Sequence, residues 1–183
     1  IDESFLDFAR EDDGYSLFNK ELLSQHPHLV VVKSISKSFG VPGLRLGFLA
    51  TGNQQLIQQL RKEISIWNIN SFAEFYMQIF IKYREDYKKA RIKFIEERKR
   101  FFQCLQHIHY LRVIPSAANY FLCEVTEKYT AEEICSVLLA KNNILLKNCS
   151  TKAGFNQAQY IRIAIRNQKD NDKLISALAS LND

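Results

Sequence analysis

The chain has 183 residues, of which 46% are apolar and 25% charged, the balance of an ordinary soluble globular protein long enough to bury a core. No apolar run in this chain approaches the roughly 20 residues of a membrane-spanning helix, and no signal peptide is visible, so no membrane partner is expected. The net charge is +5, but much of the basic excess lies in Lys82–Arg100, interleaved with Glu85, Asp86, Glu96 and Glu97; mixed signs at helical spacing describe a solvated helix face, so a small anionic ligand is expected and a nucleic acid is not.

In chain order, Leu29–Ser34 reads as a buried strand of a parallel sheet and Leu46–Thr51 as a second. The segment between them is too rich in Gly, Pro and Ser for regular structure. A helix is expected at Gln54–Ile64 behind a cap at Asn53. From Ser71 to about His107 apolar residues recur every three or four positions with no Pro or Gly, which predicts one very long helix or two consecutive ones, capped by Asn70 or Ser71. Then come a strand at Asn119–Val125, a helix at Ala131–Lys141, strands at Ile144–Lys147 and Gln159–Ile165, and a last helix at Asp170–Leu181. The expected organisation is a larger α/β part over residues 1–75, a connecting helix over 76–110 and a small α/β or α+β domain over 111–183. Ile1 already reads as a strand end, so a piece of a longer protein is expected.

The four cysteines (Cys104, Cys123, Cys135, Cys149) form no CxxC pair and no metal-ligand spacing with the histidines. Reduced thiols of a cytoplasmic protein without a bound metal are the expectation.

Chemistry concentrates in Lys33–Gly47, KSISKSFGVPGLRLG. Ser34, Ser36, Lys37, Gly40, Gly43 and Arg45 sit between two strands, where open α/β sheets bind ligands. A lysine shielded from water there can attack a carbonyl, and two hydroxyls with a guanidinium suit a phosphate dianion. Composition alone is also satisfied by a surface loop of ordinary serines and a solvated lysine.

The segment resembles the cofactor-lysine motif of fold-type I aminotransferases, [ST]-x-S-K-x-[FY]-[GA]-x-x-G-x-R-x-G, at Ser34, Ser36, Lys37, Phe39, Gly40, Gly43, Arg45 and Gly47. IDESF at the start resembles the family's strand end, hydrophobic–Asp–Glu–[AS]–[YF], at about the family's distance from the lysine. QYIRIAIRNQKDNDKLISAL (Gln159–Leu178) resembles the family's arginine-bearing strand and following helix, and PSAANYFL (Pro115–Leu122) and WNINSFA (Trp67–Ala73) resemble further family segments.

The resemblance implies the C-terminal part of the large domain of a pyridoxal-phosphate (PLP) dependent transferase, a mostly parallel sheet with helices, plus the small C-terminal domain. It implies PLP as cofactor, Lys37 as the residue of the internal aldimine and later proton carrier, and Ser34, Ser36 and Arg45 as contacts of the cofactor phosphate. Asp2 would pair with the pyridine nitrogen. Phe5 stands where many members have a tyrosine that reaches the ring hydroxyl. Arg162 would grip the substrate carboxylate, with Asn119 beside it, and a homodimer is implied for the intact protein. Trp67 and Asn70 are equally well read as a packed aromatic and a helix cap.

The nearest patterns are those of histidinol-phosphate aminotransferases and threonine-phosphate decarboxylases. Arg166 follows Arg162 by four residues, roughly 13 Å along a strand, and would touch a distal substrate phosphate or simply lie on the surface. Phe5 and the pair Lys147-Asn148 lean towards the decarboxylase pattern. The commoner chemistry, transamination of an amino acid or its phosphate ester, is taken first, with decarboxylation second and a non-catalytic chain third. Several family contacts to the cofactor lie upstream of Asp2, so the intact protein, not this chain alone, is expected to hold PLP tightly.

Overall fold

A computed structural model describes residues 1–9, 15–155 and 158–182. The chain divides into two compact units, Ile1–Ile92 and Lys93–Asp183. The boundary falls inside a long helix, so the stretch expected to be a separate connector is shared between them.

In the first unit, α1 (Leu6–Ala9) and α2 (Lys20–Gln25) precede β1 (Val30–Ser34). A turn-rich segment with one 3-10 turn, Pro42–Leu44, leads to β2 (Gly47–Thr51). β1 and β2 pair antiparallel, with Ser34 opposite Gly47 and Val30 opposite Thr51. This corrects the expectation that both strands run parallel. A parallel return needs a crossover, usually through a helix, and the short loop between these strands contains none. The parallel direction is found at Asp2, which bridges Val32.

Helix α3 (Gln54–Glu63) starts where expected, with the Asn53 side chain accepting from the Leu56 N–H. The long periodic stretch resolves into two helices, α4 (Ser71–Phe80) and α5 (Arg84–Leu105), joined by a 3-10 turn at Ile81–Tyr83. Asn70 caps α4 by accepting from Ala73 N–H at 2.9 Å. Trp67 is 88% exposed, so it is not the packed aromatic of this unit that one of its two readings expects.

Gly52 shows how tightly α2 meets β2: a Cβ there would lie 2.0 Å from the Leu23 carbonyl oxygen. Backbone cannot step aside as a side-chain tip can. Gly52→Ala is expected to destabilise the intact protein by about 3 kcal/mol, read as a lower midpoint in urea denaturation.

In the second unit, β3 (Leu111–Ile114), β4 (Tyr120–Val125), α6 (Ala131–Asn142), β5 (Lys147–Asn148), β6 (Gln159–Ala164) and α7 (Gln168–Ala179) follow α5. The sheet order is β3-β4-β6-β5, antiparallel throughout. One face is buried: Phe121, Cys123, Ile161 and Ile163 share a core with Phe101 and Leu105 of α5, Ile134 and Leu138 of α6, and Leu174 and Leu178 of α7. Alternation sends Leu122, Glu124, Arg162 and Ala164 to the other face. The expected strand at Ile144–Lys147 shrinks to Lys147–Asn148, because Asn143 ends α6 in the left-handed conformation and Ile144 N–H still bonds back to Leu138.

Candidate active site

The first unit carries six of the expected residues: Asp2, Phe5, Ser34, Ser36, Lys37 and Arg45. Ile1–Glu3 lies alongside β1, with Val32 N–H donating to Ile1 O at 2.9 Å and Glu3 N–H donating to Val32 O at 2.8 Å. This puts Asp2 at the strand edge. Its Oδ1 accepts from the Ser4 hydroxyl at 2.5 Å and the Ser4 N–H at 2.8 Å. These two bonds, the side-chain one foremost, hold the carboxyl below its ordinary range. Among the described residues its Oδ2 has no partner. Phe5 is 39% exposed and offers a ring without a hydroxyl.

β1 delivers the lysine loop. Ile35, 5% exposed, anchors its start, and Ile35 N–H donates to Leu46 O at 3.2 Å. Ser36 N–H donates to the Ser34 hydroxyl at 3.3 Å, and Phe39 N–H to Ile35 O at 3.1 Å, so Ser36–Phe39 closes into a tight turn with Lys37 at its tip. Gly40 continues the turn at φ +67, a conformation glycine adopts without a Cβ clash. Phe39 stacks on Tyr87 of α5 at 4.4 Å with 9° between the rings, which fixes the far side of the turn. The antiparallel pairing then returns Arg45 to the end of β1 that carries Ser36 and Lys37.

Arg45 itself adopts φ +53, a left-handed conformation that costs a non-glycine residue about 1 kcal/mol. Its guanidinium donates to Pro42 O at 3.3 Å. Asn70 supports the neighbouring carbonyl, donating to Leu44 O at 2.8 Å. Lys37 is exposed and not shielded as its position between two strands suggests, because the loop projects from the strand ends. Neither Lys37 nor Arg45 has a carboxylate partner among the described residues. Lys33, by contrast, is spent on structure in a 2.6 Å pair with Asp7.

The second unit carries Asn119, Arg162 and Arg166. Asn119 lies just before β4, where its carbonyl accepts from Ile165 N–H at 3.0 Å. Arg98 of α5, itself buried, donates to Ala117 O at 2.7 Å and so fixes the loop that leads into Asn119. Arg162 projects from the open face of β6, with its guanidinium carbon 5.3 Å from the Tyr120 ring centre. β6 ends at Ala164, so strand spacing does not extend to Arg166; that side chain is exposed and paired with Asp170 at 2.8 Å.

One residue without an assigned role emerges here. Lys147 of β5 is the direct cross-strand neighbour of Arg162, so both cations occupy the open face of the sheet. Neither has a carboxylate partner among the described residues. Like charges directly opposite on a sheet are unfavourable by up to about 1 kcal/mol, a cost that a bound anion reverses. The sequence signal was the Lys147-Asn148 pair, but only the β5–β6 register shows what Lys147 faces.

Together the first-unit groups fit PLP. Among the described residues, a carboxylate held ionised with one free oxygen suits a protonated ring nitrogen, two serines and an arginine without an acid partner suit a phosphate, and a lysine on the same turn suits the aldehyde carbon.

Comparison with known proteins agrees. The profile described as "Aminotransferase class I and II" matches residues 1–178. The L-serine phosphate decarboxylase of Sulfurospirillum multivorans is 34% identical over 99% of this chain and 46% of its own length. The threonine-phosphate decarboxylase of Salmonella typhimurium is 30% identical over 99% of this chain and 48% of its own. Among solved structures, the histidinol-phosphate aminotransferase from Clostridium acetobutylicum superposes with a TM-score of 0.87 at 30% identity, over 99% of this chain and 53% of that one. The chain thus spans about half the length of these relatives. Motif, fold and profile converge: the chain belongs to the class I and II aminotransferase family.

Proposed function

We propose that the intact protein is a PLP-dependent enzyme acting on an amino-acid phosphate ester, and that it removes the α-carboxylate as carbon dioxide. The observation that carries the substrate class is the Lys147–Arg162 pair: two adjacent cations without acid partners among the described residues suit a ligand bearing both a carboxylate and a second anion. In this reading Arg162 holds one anionic group and Lys147 the other, while Tyr120 supports the Arg162 guanidinium from beside it. Asn119 closes the same end of the sheet, and Arg166, engaged by Asp170, contributes charge at the periphery.

Bound PLP supplies an electron sink for the pair left at the substrate α-carbon when a bond there breaks. Asp2 would keep the ring nitrogen protonated, Ser34, Ser36 and Arg45 would hold the phosphate, and the Lys37 amine would hold the cofactor at its aldehyde carbon and serve as the proton carrier at the α-carbon. Phe5 leaves the ring hydroxyl without a tyrosine donor.

Which bond breaks depends on its orientation to the cofactor ring. Transamination is taken first from sequence only as the commoner chemistry of the family, whereas the two decarboxylase relatives support loss of the carboxylate. Transamination stays as the second reading on the superposition with a histidinol-phosphate aminotransferase. Product analysis separates them. Carbon dioxide released from phosphoserine or phosphothreonine, without an acceptor, is the expected result. A carbonyl product formed only with an amino-group acceptor means transamination, and no turnover of any phosphorylated substrate overturns the substrate class.

A further inference from the structure

We propose that Ser4 is a positioning residue of the cofactor site: its single hydroxyl ties the Asp2 carboxylate to the Ser34 end of the lysine loop. This rests on the reading of Asp2 and Ser34 as cofactor contacts.

Ser4 is 8% exposed, and its hydroxyl has two partners. Ser34 N–H donates to Ser4 Oγ at 2.9 Å, while Ser4 Oγ lies 2.5 Å from Asp2 Oδ1. An amide N–H can only donate, so the oxygen lone pair is committed to Ser34. The hydroxyl proton is then committed to Asp2, as a carboxylate kept ionised can only accept.

Ser4 N–H donates to the same Oδ1 at 2.8 Å, so that oxygen is held by two donors from one residue. The carboxylate is thereby fixed in rotation and its Oδ2 is the oxygen left for a ligand. The lowered protonation of Asp2, caused first by the Ser4 side chain, is what this arrangement produces. Through Ser34, whose hydroxyl in turn accepts from Ser36 N–H, the same hydroxyl sets where the phosphate-binding turn begins relative to Asp2. An alanine at position 4, which the strand-end motif also allows, keeps only the backbone bond to Asp2 and leaves the Ser34 amide without this acceptor. The hydroxyl therefore relates two cofactor contacts that are about thirty residues apart in the chain and adds one donor to Asp2.

The test uses Ser4→Ala and Ser4→Thr in the intact protein, with two readouts. One is the titration of the Asp2 carboxyl followed by carbon NMR in the cofactor-free protein; the other is the dissociation constant for PLP. Ser4→Ala is expected to raise the Asp2 titration midpoint and to weaken PLP binding about tenfold, the effect of one lost hydrogen bond to a charged group. Ser4→Thr, which keeps the hydroxyl, is expected to restore both. If either readout in Ser4→Ala stays at the wild-type value, the proposal is overturned. A wild-type protein that takes up no PLP defeats the proposed function, while the Asp2 titration in cofactor-free protein still reports on the Ser4 contact.

Discussion

Lys37→Ala is expected to remove the visible absorption of the cofactor-loaded intact protein and to lower turnover by about 10⁴-fold or more, the scale seen when a covalent catalyst is deleted. The fold should survive. Lys37 is exposed at the tip of a turn that is held by other groups: the Phe39–Ile35 and Gly40–Lys37 backbone bonds and the Phe39–Tyr87 stack. Among the described residues no ion pair is lost with it. Circular dichroism and urea midpoint close to wild type, with catalysis abolished, is therefore the expected combination. Lys33→Ala should do the reverse. It leaves Asp7, only 8% exposed, without its 2.6 Å partner, so stability falls while Lys37 is still present.

The second large effect concerns the paired cations. Arg162→Ala is expected to lower kcat/KM by about 10²-fold, because the guanidinium fork proposed to hold an anionic group of the substrate is replaced by nothing that can donate. Lys147→Gln should cost about tenfold on a phosphorylated substrate and little on the same amino acid without phosphate. Stability should move the other way. Removing one of two like charges that face each other across β5 and β6 should raise it by a few tenths of a kcal/mol. Loss of activity together with a small gain in stability is the signature of a cation kept for a ligand. Equal loss on both substrates would instead place Lys147 in the framework of the sheet.

The arrangement of the candidate site was legible in the sequence wherever it depends on local spacing. Ser34, Ser36, Lys37 and Arg45 lie on one loop, so their order in the chain is already their order in the turn. The caps Asn53 and Asn70 were legible for the same reason, since a cap is a contact over three residues. What escaped depends on register and pairing. The antiparallel partnership of β1 and β2 is set by a loop too short for a crossover, a matter of closure and not of strand composition. β3 has only four residues, Leu111–Ile114, too few to show a period. Lys147 and Arg162 are neighbours only because β5 and β6 pair in one particular register across an intervening loop. Ser4 was hidden for another reason: a motif position that accepts alanine or serine draws no attention until the hydroxyl is seen between Asp2 and Ser34.

The second unit shows the same contrast in its packing. Alternation along Gln159–Ile165 correctly separates the core-facing Ile161 and Ile163 from the outward Arg162. Extending that alternation to Arg166 fails because β6 stops at Ala164, where Asn171 of α7 takes over. Its side chain accepts from Arg166 N–H at 3.0 Å and donates to Arg166 O at 3.0 Å, turning the chain away from the strand.

The assignment of Lys37 as the covalent lysine is tested most directly by trapping the cofactor. The intact protein is loaded with PLP, treated with borohydride to make the lysine–cofactor bond permanent, digested and mapped by mass spectrometry. The pyridoxyl phosphate mass is expected on the peptide containing Ser36-Lys37-Ser38 and on no other. Modification of Lys33 or of any other lysine in place of Lys37, or no modification in a protein that has bound PLP, would contradict it.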